Sequence, residues 1–291
     1  MIINNQVSLL LNSLSTLIKL IVSLTMLYMV CHQVLMANEL EVIPTASSNT
    51  IHVEHASQIT NKQLSVLLIK AKELQVLSQI IAKDYFYIHQ LVREEEAKLE
   101  IKQSIKDLEH VLHILNSRIN DKEIKNLLSY LGDVSVEYKE IIEQPFSMNN
   151  GSQVLDYSET MFEGARSIIR FLEKYTKESN HIFDVVFQQQ LILQRISKFY
   201  IAFQAGFNDK IIVGQLKESV KQFELGIKEI STYKFSDQLQ KEVSRIEKYW
   251  PLSKKFYLGM EKGDLTLIVF ISTDHMMSSL NKILTLFITK T

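Results

Sequence analysis

The sequence predicts an all-α protein: two tandem up-and-down four-helix bundles sharing a long connecting helix, preceded by an N-terminal hydrophobic signal or anchor helix. Three observations predict this. In 291 residues there are only 8 glycines and 3 prolines, and Leu, Lys and Glu are abundant, which favours helices over strands. Apolar residues recur at three- and four-residue spacing over long stretches, the period of an amphipathic helix. The pattern then recurs at a constant offset of 115, the mark of a tandem duplication.

The first 37 residues carry one charge, Lys19. Leu20 to Cys31 is an apolar run, and Ala37 follows as a small residue. This suits a secretory signal peptide, although Leu35 breaks the small-residue rule for cleavage. An uncleaved anchor is the alternative, because residues 20–37 approach spanning length. Either way the rest of the chain is expected in the periplasm. Cys31 is the only cysteine, which rules out an internal disulfide and a thiolate metal site. Lys and Arg total 32 against 33 acids, so no net field points to nucleic acid. Residues 38–58 contain Pro44, Ser47, Ser48, Asn49 and Thr50 without a hydrophobic period and read as a linker.

The first helix is expected from near Ile59 past Gln90, and the run Arg93 to Lys98 at its exposed end or a turn. Ile101, Ile105, Leu108, Leu112 and Leu115 mark a second helix. Asp121 is the expected N-cap of a third, which runs to about Glu143. Pro145, Asn149, Asn150 and Gly151 then break the pattern. A fourth helix is expected from near Gln153. It meets no stop signal through Asn180, so a single helix around residues 155–207 is expected to join the units.

The units themselves are 59–176 and 177–291. Lys102, Ser104, Lys106 and Glu109 match Lys217, Ser219, Lys221 and Glu224, and Met161 and Ile168 match Met276 and Ile283. Pro251 falls inside the third helix of the second unit and is expected to kink or split it. One mixed bundle is the alternative to two.

Each unit opens on the same stretch. Glu73 to Lys83 aligns without a gap on Gln188 to Lys198. Leu77, Ile81, Tyr85 and Ile88 would face a core. Gln75, Gln79 and Lys83 form a row on another face, repeated as Gln190, Gln194 and Lys198.

These two stretches resemble the signature of the N-terminal domain of type IV pilus methyl-accepting chemotaxis transducers (PilJ-like), whose first helix carries Arg-Gln-Arg-Met-Leu-Ser-Gln-Arg-Ile-Ala-Lys. Ser158 to Phe162 and Thr273 to Met277 look like the start of the last helix of such domains. The resemblance covers residues 59–291 as two copies. It implies an all-helical extracytoplasmic sensor module; a related module in nitrate sensor kinases binds an oxyanion between the first helices of a dimer. The arginine that would face that anion is Gln75 in one copy and Gln190 in the other, and the later arginine is Ile80 and Arg195. Glutamine donates hydrogen bonds without charge, so the inherited anion affinity is not expected in full.

The ligand-binding candidates are therefore Gln75, Gln79, Lys83, Gln190, Gln194, Arg195 and Lys198. They line a pocket or dimer seam, or else a solvated stripe with some interhelical hydrogen bonds. His110 and His113, beside Asp107 and Glu109, and Glu178 with His181 have the spacing of bundle metal ligands, but surface histidines are the expected reading. His52 and His55 make a weaker pair still. Met161 and Met276 read as core filler. Tyr249, Trp250, Phe256 and Tyr257 read as core, with a recognition surface as the alternative. No catalytic triad, phosphate-cradling glycine loop or zinc-protease motif occurs, so neither an enzyme nor a cofactor is expected.

No signalling hairpin or kinase motif follows the second unit. The expectation is a sensor-like module acting with a membrane signalling partner, with a small ligand or envelope protein bound, homodimerisation open, and membrane contact through residues 1–37 if uncleaved. A structural spacer of the envelope is the alternative.

Overall fold

The computed structural model describes residues 61–176, 181–263 and 265–288. The signal or anchor helix and the linker lie outside them. Every described element is helical: α1 Asn61–His89, α2 Glu94–Arg118, α3 Lys122–Ile142, α4 Met148–Glu173, α5 His181–Gln204, α6 Lys210–Thr232, α7 Asp237–Leu258, a 3₁₀ turn Met260–Lys262, and α8 Thr266–Ile288. Shifting α2, α3 and α4 by 115 gives 209–233, 237–257 and 263–288, within three residues of α6, α7 and α8 at each end.

Local chemistry accounts for the ends. Asp121 caps α3 as expected, accepting from the backbone N–H of Glu123 and Ile124, both at 3.0 Å. Asp209 does the same for α6 with Ile211 and Ile212. The acids Glu94, Glu95 and Glu96 occupy the first turn of α2, where they complement the helix dipole. α4 starts earlier than the sequence suggests, because Ser147 caps it by accepting from Asn150 N–H at 3.0 Å. Gly151 is thereby inside the helix, and Phe207 explains it: a Cβ there would lie 2.5 Å from the Phe207 ring. Pro251 does not split α7, which runs through it to Leu258. Trp250 beside it is buried against Phe223, with ring centroids 4.5 Å apart.

The expected continuous helix over 155–207 is not formed. α4 ends at Glu173, Lys174 to Thr176 form a turn, and α5 begins at His181. Side-chain registers show why. Gln75 bonds Phe162 O and Gln79 bonds Ser158 O, so α4 runs antiparallel to α1. Lys72 pairs with Asp184 and Tyr87 with Ser197, so α5 runs parallel to α1. The chain must therefore reverse between α4 and α5.

α1 packs on α2, α4 and α5; α2 packs on α3, α3 on α4, α5 on α6, and α6 on α7. α8 lies against α5 and α7 through Ser197–Thr273, Gln190–Asn281 and Tyr257–Thr273. Residues from both runs of four helices form one hydrophobic core. Leu77, Ile81 and Tyr85 are buried as expected, and so are Met161 and Met276, each 0 % exposed. With neighbours on three sides, α1 and α5 sit at the centre, and Gln189 to Ala202 is buried without interruption.

Candidate functional site: a buried polar layer at the central helix pair

The consequence for the polar rows is direct. All seven candidate residues are buried: Gln75, Gln79, Lys83, Gln190, Gln194, Arg195 and Lys198. A solvated stripe is excluded. Gln75 Nε2 donates to Phe162 O at 3.3 Å, and Gln79 Nε2 donates to Ser158 O at 3.2 Å and Ser78 Oγ at 3.1 Å. Gln190 Nε2 donates to Asn281 Oδ1. The glutamines thus tie each first helix to the last helix of its own half. The side-chain oxygens of Gln79 and Gln194, at equivalent positions, are buried without a hydrogen-bond partner.

The charged candidates separate into two clusters. The first surrounds Glu159 of α4. Arg195 grips its carboxylate with both arms of the guanidinium, at 2.9 and 3.1 Å, and also bonds Gln215 Oε1 at 3.1 Å. Lys198 Nζ reaches the same carboxylate and Ser158 Oγ at 3.0 Å. The Arg195 guanidinium lies 4.3 Å from the Phe162 ring centroid, and the Lys198 ammonium 4.3 Å from that of Phe199. Two cations therefore serve one carboxylate. Lys198 is 0 % exposed, and burial lowers its pKa to about 8, Glu159 offsetting only part of the effect and Arg195 adding to it. Burial pushes the Glu159 carboxyl up, but Lys198 and Arg195 outweigh it and hold it below its usual value. The Glu159 side chain is 35 % exposed and Gln215 is exposed as well, whereas Arg195 and Lys198 are buried.

The second cluster surrounds Lys83. Its ammonium lies 3.1 Å from Glu100 of α2 and 3.2 Å from the neighbouring Asp84. Asp84 is 0 % exposed, and neither carboxylate oxygen makes a hydrogen bond. Burial and the Glu100 charge raise its pKa well above the usual value, against the lowering by Lys83. Burial alone would lower Lys83, but the Glu100 carboxylate at 3.1 Å keeps the ammonium charged. Asp274 of α8 is within electrostatic range of Lys83, Glu100 and Arg93.

A hydrogen-bonded chain crosses between the halves. Tyr87 of α1 meets Ser197 of α5 at 3.1 Å, Ser197 donates to Thr273 at 3.4 Å, and Thr273 meets Tyr257 at 2.7 Å. The Tyr87 ring lies edge-on to Phe270 of α8 at 5.0 Å.

The two clusters occupy equivalent places in the duplication. Lys83 corresponds to Lys198, Glu159 to Asp274, and Glu100 to Gln215. Ile80 stands where Arg195 is, and Phe199 stands where Asp84 is. Sequence reasoning missed Ser158, Glu159, Asp84, Glu100 and Ser197. One signal was there: an acid at 159 and again at 274, next to hydroxyl residues Ser158 and Thr273.

The other candidates lie elsewhere. His110 and His113 are exposed, and no group of potential metal ligands gathers among the described residues. His181 is exposed and pairs with Glu229 at 2.7 Å; Glu178, like His52 and His55, lies outside the described residues. Trp250 and Tyr257 are core, while Tyr249 stacks on His275 with centroids 5.4 Å apart. Two surface depressions lie over α7 and between α6 and α7, away from the polar layer. No described helix is long and apolar enough to cross a membrane. No family model, curated protein or solved structure matches the chain.

Proposed function

We propose that this chain is an extracytoplasmic, sensor-like binding module of the PilJ-like kind, built as two four-helix bundles side by side and working with a membrane signalling partner. The observation that carries this reading is the polar layer on the parallel pair α1 and α5. Asp84, the cations Lys70, Lys83, Arg195 and Lys198, and three glutamines with unpaired side-chain oxygens, Gln79, Gln189 and Gln194, are buried there. Such burial costs stability, and apolar side chains of similar size would fill the space more cheaply. Strain of this sort concentrates where function needs it. In this reading, a ligand or partner that prefers one packing of the central pair shifts the population of helix arrangements. Residues 1–37 export the chain or hold it at the membrane.

Calorimetric titration of the full-length chain with small anions and polar metabolites, combined with affinity capture from envelope extract, tests the reading. Binding in either experiment is expected, and silence in both defeats it. N-terminal sequencing after cell fractionation tests the compartment; an intact N-terminus in the cytosol rejects export.

A structural spacer is the second reading. It is favoured by the fact that Lys83, Arg195 and Lys198 already have internal acidic partners. It predicts that replacing Gln79, Lys83, Gln194 and Lys198 together leaves function intact in a protein that still folds.

A further inference from the structure

We propose that Arg195, Lys198, Ser158 and Gln215 form a binding site for small carboxylates, that the Glu159 side chain occupies it in this structure, and that a ligand carboxylate enters by displacing Glu159. The ligand class follows from the occupant. Arg195 presents a planar fork, and the group it holds is a planar carboxylate engaged through both oxygens. The Lys198 ammonium adds a second donor, held in place by Ser158 Oγ, which accepts from it at 3.0 Å while donating to Leu155 O, and Gln215 orients the guanidinium from α6. The rings of Phe162 and Phe199 form the apolar walls under both cations.

Charge balance leaves room for an anion. Two buried cations face one carboxylate, so the cluster has one positive charge in excess. The route is set by exposure. Arg195 and Lys198 side chains are 10 % and 0 % exposed, whereas Glu159 is 35 % exposed. In the proposal, Glu159 rotates outward and so opens the cradle to solvent. That rotation also removes the two ion pairs that hold α4 to α5, so occupancy by a free carboxylate changes what ties the two halves together.

The proposal deepens the binding-module reading and rests on it for its signalling consequence. The test is titration of the full-length chain with acetate and succinate, against chloride at matched ionic strength. Wild type should bind weakly, because Glu159 competes. Glu159→Gln should bind at least tenfold more tightly, and Glu159→Gln combined with Arg195→Gln should not bind. Should Glu159→Gln fold poorly, Glu159→Asp withdraws the carboxylate by one methylene and should also tighten binding. Carboxylate should then raise the melting temperature of either variant more than chloride does. Carboxylate affinity in Glu159→Gln and Glu159→Asp no higher than in wild type would overturn the proposal. The same result together with capture of an envelope partner would leave the binding-module reading standing.

Discussion

Removing the acid of the Glu159 cluster should cost far more than removing its buried base. In Glu159→Gln, Lys198 is 0 % exposed and loses its carboxylate, with Arg195 beside it. A buried charge left alone costs about 3–5 kcal/mol. Lys198 has an escape, which is to release its proton. Wild-type Lys198 has a pKa of about 8, so at pH 7 the release costs about 1.4 kcal/mol and caps the part of the loss that comes from Lys198. At pH 9 that proton has already left and the cap falls close to zero, while Arg195 stays charged at either pH. In Lys198→Met the volume stays similar, and Glu159 keeps the Arg195 fork and its exposure to water. That variant should stay within about 1 kcal/mol of wild type, or exceed it. Urea unfolding of the three proteins at pH 7 and pH 9 measures the difference. Two results would refute the reasoning: equal losses in Glu159→Gln and Lys198→Met, or a Glu159→Gln loss that does not shrink at the higher pH.

Lys198 also shapes the wild-type response to pH. Its folded pKa of about 8 lies below the usual 10.5, so between these values the unfolded chain binds the extra proton and stability rises with pH, by roughly 3 kcal/mol at most. Equilibrium unfolding between pH 8 and 10 should show that rise, and Lys198→Met should abolish it. Asp84 acts at the other end of the scale: its raised carboxyl pKa means the native state keeps a proton that the unfolded state loses, so stability falls as pH rises above 3.8, and Asp84→Asn should flatten that slope. Gly151→Ala places a Cβ 2.5 Å from the Phe207 ring and should cost about 1–3 kcal/mol by denaturant unfolding. Asp121→Ala removes a cap that holds two backbone N–H groups and should lower stability by ~1 kcal/mol in the same assay.

Much of the helical layout was legible because its signals are local. The apolar period placed the helices, Asp121 announced its cap, and the repeat carried the boundaries of α2, α3 and α4 onto α6, α7 and α8. Failures came where distant partners decide. Lys174 to Asn180 contain neither glycine nor proline, so nothing in the sequence marks the reversal. It is enforced by α1, which must hold α4 antiparallel through Gln75 and Gln79 and α5 parallel through Tyr87. The rows of glutamine and lysine were legible as rows. Their burial was not, since a polar stripe on an isolated helix predicts solvent, and only three packed neighbours turn it inward. At Pro251 the sequence predicts a kink or a split; the helix is not split there, and Trp250 and Tyr257 on the same helix are both buried.

Covalent linkage of the two copies has a consequence for stoichiometry. A dimer of identical chains must offer each of its local environments twice, and a mutation that alters one alters both. Here Arg195 has no counterpart at Ile80, and Asp84 has none at Phe199, so one environment is cationic and its twin acidic. A guest of either sign would meet one such environment per chain and approach it from one direction. Each copy was free to change without its twin, and the central helices record that freedom as an electrical polarity across an otherwise repeated frame.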